Sequence, residues 1–196
     1  TPSRGALEAM QSRGYPSGRS IYSKDALETV DDLERLFDVL SAVRGADGKP
    51  AVLTANTIVA NPDFQAIEDS GFSAYHYEWT TETCGRNSET EGVPDRWKQG
   101  LVEGVYRPQF HGREYLHHRR WLARLRAGDE AARLCFRLGS TSSGKGDYSF
   151  MEALEWDDES EVAAQAQELI DGLDIFQSIF GYRSKSFIAP CYTWDP

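Results

Sequence analysis

Three of the four histidines in the chain lie within one short segment, residues 108–122. His111 directly follows an apolar run that predicts a β-strand, and Arg113 and Glu114 come within the next three residues. In α/β proteins, ligands bind at the carboxyl ends of parallel strands. An imidazole there can ligate a metal or transfer protons near neutral pH. We therefore predict a site at this turn, with His111 and Glu114 as catalytic residues, His111 as a metal ligand and Arg113 in substrate binding. The alternative for His111 is a side chain satisfied by the turn itself.

Two further pairs of residues have a spacing that brings their side chains together. His76 and Glu78 alternate on a predicted strand and therefore point to one face of it. Together they could bind a substrate hydroxyl or support a metal as catalytic residues, or they could simply pack in the core. Glu114 and His118 are four residues apart in a predicted helix and would share a helix face. For His117 and His118 themselves, we expect positions on the surface.

Other candidates stand at or beyond the ends of predicted strands. Asn56 ends one strand, and Tyr192 and Trp194 follow the last one. Aromatic rings in this position could stack on a sugar ring or could fill the interior of the fold. By position we assign all three residues to substrate binding.

Composition limits the classes of function. With 196 residues the chain fits one domain with a sizeable core. Its net charge of −10 argues against a nucleic-acid partner, which needs a concentrated positive surface. The three cysteines are far apart and form no CxxC, which is unlike a disulfide framework or a zinc ribbon and favours a cytoplasmic location. We predict no membrane span, because no apolar stretch is long enough.

The order of elements predicts an α/β fold with a largely parallel sheet. Apolar runs indicate strands over 51–56, 72–78, 105–110 and 186–189. Helical spacing and capping residues indicate helices over 3–11, 23–43, 61–69, 94–103, 114–126, 129–137 and 158–180. The polar stretch 80–92 is predicted to be a functional loop. Both ends look cut, so we interpret the chain as part of a larger domain.

Three segments, in order, resemble motifs of the polysaccharide deacetylase family. The sequence His-Gly-Arg-Glu-Tyr over 111–115 looks like the second family motif, HSxxH or HTxxH. The segment 173–181 is similar to the helix and glycine before the third motif, and 187–192 is similar to the third motif itself. The resemblance covers roughly residues 50–194. It implies a partial, distorted (β/α) barrel, incomplete at both termini, in which 1–49 is a helical insertion after a missing first strand and 50–196 carries the βα units.

The resemblance also implies an activity, which is hydrolysis of N- or O-acetyl groups on a glycan. In that family a divalent metal, usually zinc, is held by one aspartate and two histidines while a second aspartate acts as base. His111 matches the first of those histidines, Tyr115 falls where the second should be, and Pro190 matches the proline of the third motif. The first motif lies outside this chain, so we expect the chain alone to be inactive.

Two alternatives remain open at this point. A glycoside hydrolase needs two carboxylates flanking the bond, for which Glu78 and Glu114 are the candidates. A carbohydrate-binding domain without activity would explain Tyr115 in place of a metal histidine.

Overall fold

The computed structural model describes residues 4–15, 27–86, 88–143 and 150–193. The α-helices are α1 (Arg4–Gln11), α2 (Val30–Ala42), α3 (Phe64–Asp69), α4 (Thr80–Cys84), α5 (Val93–Glu103), α6 (His118–Arg126), α7 (Glu130–Arg137) and α8 (Val162–Phe180). The strands are β1 (Leu53–Thr57), β2 (Ala60–Pro62), β3 (Tyr77–Trp79) and β4 (Tyr106–Phe110). The fold is therefore mixed α/β. Within the described ranges, no helix is long and apolar enough to cross a membrane.

The parallel pairing predicted for the βα units is confirmed for two strands. β1 runs parallel to β4, with Leu53 opposite Tyr106 and Thr57 opposite Phe110. Phe187 continues this order through a single parallel bridge to Phe110, so the strand expected over 186–189 is reduced to one residue pair. Among the described residues these strands do not close into a barrel.

The prediction for 61–78 is wrong in two places. Asn61 and Pro62, expected to open a helix, belong to β2, and the helix starts at Phe64 after the N-cap Asp63. The strand expected over 72–78 shortens to β3, which pairs antiparallel with β2. The cause is tertiary, because the backbone at the start of β2 is held extended by Arg113, whose carbonyl accepts the N–H groups of both Val59 and Ala60.

Several helix boundaries also differ from the predicted ones. α2 begins at Val30 because Thr29 and Asp32 form a capping box, and residues 27–29 before it are not helical. The predicted starts at residues 3 and 23 lie outside the described residues. The stretch expected to be a loop contains the short helix α4.

Two groups of buried side chains form the core. The first lies where α2, α5 and α8 cover β4, and its members include Phe37, Trp97, Tyr106, Phe110 and Phe176. The second joins α3, α6 and α7, and its members include Ile67, Trp121, Leu125, Phe136 and Phe150. The segment 111–117 connects β4 of the first group to α6 of the second, so the predicted site lies on this connection.

Candidate functional site

The turn after β4 is fixed by backbone hydrogen bonds on one side and by a proline on the other. The His111 N–H donates to the carbonyl of Thr57, at the end of β1 (3.0 Å). Gly112 has φ +115°, and a Cβ there would lie 3.3 Å from Cγ of Pro190. Only glycine adopts this backbone readily, so the turn brings Arg113 and Glu114 inward in one defined geometry.

Arg113 and Glu114 form a buried, two-pronged ion pair. Nε of Arg113 donates to Oε2 of Glu114 (2.6 Å) and Nη2 donates to Oε1 (2.7 Å). The two side chains are only 7% and 5% exposed. Burial by itself would lower the pKa of Arg113, but the hydrogen bonds and negative charge of Glu114 outweigh it and the pKa is raised. A carboxylate has about four lone-pair sites, so Glu114 retains acceptor capacity beyond these two bonds.

Helix α8 supplies a second carboxylate to the same place. Oε1 of Glu168 accepts from Nε2 of His118 (3.0 Å) and from Nη2 of Arg119 (2.5 Å). Burial would raise the pKa of Glu168, yet hydrogen bonding to His118 and the nearby positive charges lower it overall. Because a carboxylate can only accept, Nε2 of His118 carries the hydrogen, and its Nδ1 is buried with no partner among the described residues.

Glu114, His118 and Glu168 together form what we call the acid–histidine cluster. Each offers one ligand atom, and these atoms all lie within 4.8 Å of one another. One imidazole and two carboxylates are a suitable ligand set for zinc or manganese. The two carboxylate charges match a divalent ion, and the Nε2 of His118 already lies 3.0 Å from one of the carboxylate oxygens. The residues therefore fit a divalent metal, the class of cofactor that the sequence predicted.

Aromatic rings cover this cluster. Tyr75 stacks on His118 with 4.3 Å between ring centroids and 16° between the ring planes. The guanidinium of Arg113 lies 4.4 Å from the ring centroid of Tyr77 and 5.9 Å from that of Tyr75. These rings pack against the ionic network, and where they reduce its contact with water its electrostatic interactions are stronger.

His111 belongs to a neighbouring arrangement and is not one of the three clustered residues. Its Nδ1 donates to the carbonyl of Ile188 (2.6 Å), which leaves Nε2 as the acceptor nitrogen. Its ring lies 5.2 Å from that of Tyr115. The Tyr115 hydroxyl accepts the N–H of Cys191 (2.6 Å), and burial raises the pKa of Tyr115 to about 12. Hydrogen bonds thus join the segments 111–115 and 188–191.

The remaining predicted residues are not members of the acid–histidine cluster. Tyr192 is 79% exposed and has φ +58°, a strained backbone for a tyrosine. Asn56 is exposed near the end of β1, and His76 is exposed just before β3. Glu78 is buried and pairs with Arg86 and Thr83. The common face expected for His76 and Glu78 is wrong, because His76 is exposed whereas Glu78 is buried. Trp194 lies outside the described residues.

The expectation of two surface histidines is also wrong. His117 is 2% exposed and is the N-cap of α6, where its Nδ1 accepts the Arg120 N–H. Burial and the charge of Arg120 lower the pKa of His117. The side chain of His118 is 12% exposed. Because α6 begins at His118, Glu114 lies in the preceding turn and the two residues do not share a helix face, although their side chains meet in the cluster.

Sequence reasoning missed Glu168 and Tyr75. Glu168 precedes the buried positions Gly172 and Ile175 by four and seven residues, so it lies on the buried stripe of α8. A carboxylate on such a stripe is the signal that could have identified it. No comparable pattern marks Tyr75, whose position depends on tertiary packing.

Comparison of the chain with protein-family models, with curated proteins and with solved structures finds no match. The functional argument therefore depends on the geometry of the site itself.

Proposed function

We propose that the protein is a metal-dependent hydrolase domain that removes acetyl groups from a glycan, with the acid–histidine cluster as its metal site. The observation that carries this proposal is the convergence of Glu114, His118 and Glu168 within 4.8 Å at the end of a parallel strand. The resemblance of 111–115 and 187–192 to deacetylase motifs supports the reaction class. The parallel order of β1, β4 and Phe187 is compatible with the partial barrel that this family implies.

A divalent ion in a site with three protein ligands polarises a carbonyl oxygen and lowers the pKa of water. The protein's own residues have separate tasks. Arg113 orients Glu114 through its two hydrogen bonds, as residues behind a metal ligand commonly do. His111 is the proposed proton-transfer group, because its Nδ1 is held by Ile188 and its Nε2 is left to accept a proton.

The ligand set proposed here differs from that of the deacetylase family. Tyr115 occupies the place of the second family histidine, and its hydroxyl is engaged by the backbone of Cys191. We propose that His118 and Glu168 replace the missing ligands. The exposed ring of Tyr192 is the proposed stacking surface for a sugar.

Zinc and manganese binding, measured by calorimetry and by metal content after dialysis, tests the ligand set. We expect His118→Ala to weaken binding by more than the roughly 10- to 100-fold that follows loss of a residue supporting a ligand. His76→Ala is the matched control, because His76 is exposed; it should bind metal like the unmodified protein. His111→Ala should retain the metal, and the same substitution in the full-length protein should abolish acetate release from acetylated chitooligosaccharides or xylan.

Four results would contradict the proposal in different ways. Equal metal content in all four proteins would remove the cluster as a metal site. If His111→Ala lost the metal, His111 would be a metal ligand, and the proposed ligand set would be wrong. Metal and sugar binding without acetate release would leave a carbohydrate-binding domain, and release of sugars that survives a chelator would indicate a glycosidase.

A further inference from the structure

The hydroxyl of Tyr75 is a buried polar group that forms no hydrogen bond within the described part of the chain. Its oxygen is inaccessible to solvent and has no hydrogen-bond partner among the described residues. A buried hydroxyl without a partner destabilises the folded state, because it has lost its hydrogen bonds to water. Such a group in a folded protein calls for an explanation, and a bound ligand is one of the few available.

The surroundings of Tyr75 are those of the acid–histidine cluster. Its ring lies flat on His118, and Arg113 lies 5.9 Å from its centroid. A phenolic hydroxyl can donate a hydrogen bond, and that of Tyr75 has no acceptor among the described residues.

We infer that Tyr75 is a substrate-binding residue, whose hydroxyl donates a hydrogen bond to the carbonyl oxygen of a carboxamide or ester held at the acid–histidine cluster. This inference rests on the proposed function. A neutral donor fits an oxygen on which negative charge develops, and removal of one such donor typically lowers kcat by about 10²–10³.

The test uses acetohydroxamate, which carries a carbonyl oxygen and binds metal ions, as a probe of the zinc-loaded protein. Tyr75→Phe removes the hydroxyl and keeps the ring on His118. We expect zinc affinity to be unchanged and acetohydroxamate affinity to fall by about tenfold, the usual effect of losing one hydrogen bond to a charged group. Tyr77→Phe is the matched control, because Tyr77 contacts Arg113 through its ring, is 36% exposed and should bind the probe normally.

Thermal unfolding of the metal-free proteins separates a binding role from a structural one. Loss of an unpartnered hydroxyl should leave the unfolding midpoint of Tyr75→Phe unchanged or raised. Equal acetohydroxamate affinity in Tyr75→Phe and the unmodified protein would overturn the inference while leaving the metal site intact. Absence of zinc binding in the unmodified protein would instead overturn the proposed function.

Discussion

At the scale of single residues, the Arg113–Glu114 pair determines how the site is held. Both side chains are almost fully buried, and two charges in such a place are expensive to desolvate. Two parallel hydrogen bonds offset that cost, and Glu168 and Asp171 lie within 4.0 Å of the same guanidinium. The arginine therefore holds the carboxylates of the turn and of α8 near each other.

Removal of this arginine should be strongly destabilising. Arg113→Met leaves Glu114 buried without its partner, and breaking a buried ion pair in this way costs about 3–5 kcal/mol. Urea unfolding monitored by tryptophan fluorescence measures the change in the free energy of unfolding. Arg183→Met is the control, because its pair with Asp174 is solvent-exposed and should contribute less than about 1 kcal/mol. If both variants lost the same free energy of unfolding, Glu114 would have to be solvated when Arg113 is absent.

The residue types at positions 111, 113 and 114 predicted a polar site at this turn. The sequence did not predict which side chains these residues contact. Arg113 was assigned to substrate binding, and its bond to Glu114 was not predicted. Glu168 is 54 positions away from Glu114 along the chain, so only the packing of α8 on β4 brings the two together. Local spacing identifies candidate residues, whereas long-range packing selects which of them meet.

At the scale of elements, the site depends on the close approach of α8 to β4. A Cβ at Gly172 would lie 2.7 Å from Cζ of Phe110 and 3.0 Å from Cβ of Arg113. Gly172 is one helical turn after Glu168, so the spacing between helix and strand at this glycine sets the position of that carboxylate.

Gly172→Ala should therefore move α8 and weaken metal binding. Overpacking typically costs about 1–3 kcal/mol, against which alanine regains about 1 kcal/mol in helix propensity. We expect a modest loss in the free energy of unfolding and a clear loss in zinc affinity, both measured on the same preparation.

Gly100→Ala is the matched control for this substitution. Gly100 also lies in a helix, and a Cβ there would lie 2.5 Å from Phe37 and 2.7 Å from Tyr106. The stability loss should be similar, but zinc affinity should not change, because this contact is in the core away from the cluster. If both variants lowered zinc affinity equally, the lower affinity of Gly172→Ala would be due to general destabilisation.

The elements themselves could be predicted where the pattern is local. The five-residue strand β4 and the helices α5, α7 and α8 begin and end within a few residues of their predicted bounds. The start of α6 could not be predicted, because it depends on His117, whose backbone N–H donates to the carbonyl of Phe150 from a distant segment. Tertiary hydrogen bonds of this kind override local helix propensity.

At the scale of the whole molecule, the acid–histidine cluster lies where the two groups of core residues meet. Glu114 stands in the turn that leaves β4, His118 begins α6 and Glu168 lies on α8. β4 and α8 belong to the first group, and α6 belongs to the second. An ion bound to all three residues would link the two groups of core residues. It would bind only to the folded state, because only there do the three residues meet.

Metal should therefore stabilise the entire fold. Free zinc at about 100 times its Kd should add about 2.7 kcal/mol to the free energy of unfolding. Differential scanning fluorimetry should detect a higher unfolding midpoint in the unmodified protein, and no change in His118→Ala. An equal rise in both would contradict this assignment, because it would mean that the ion acts through other carboxylates of a chain whose net charge is −10. A chelator should return the unfolding midpoint to its metal-free value, because it removes the free zinc on which the stabilisation depends.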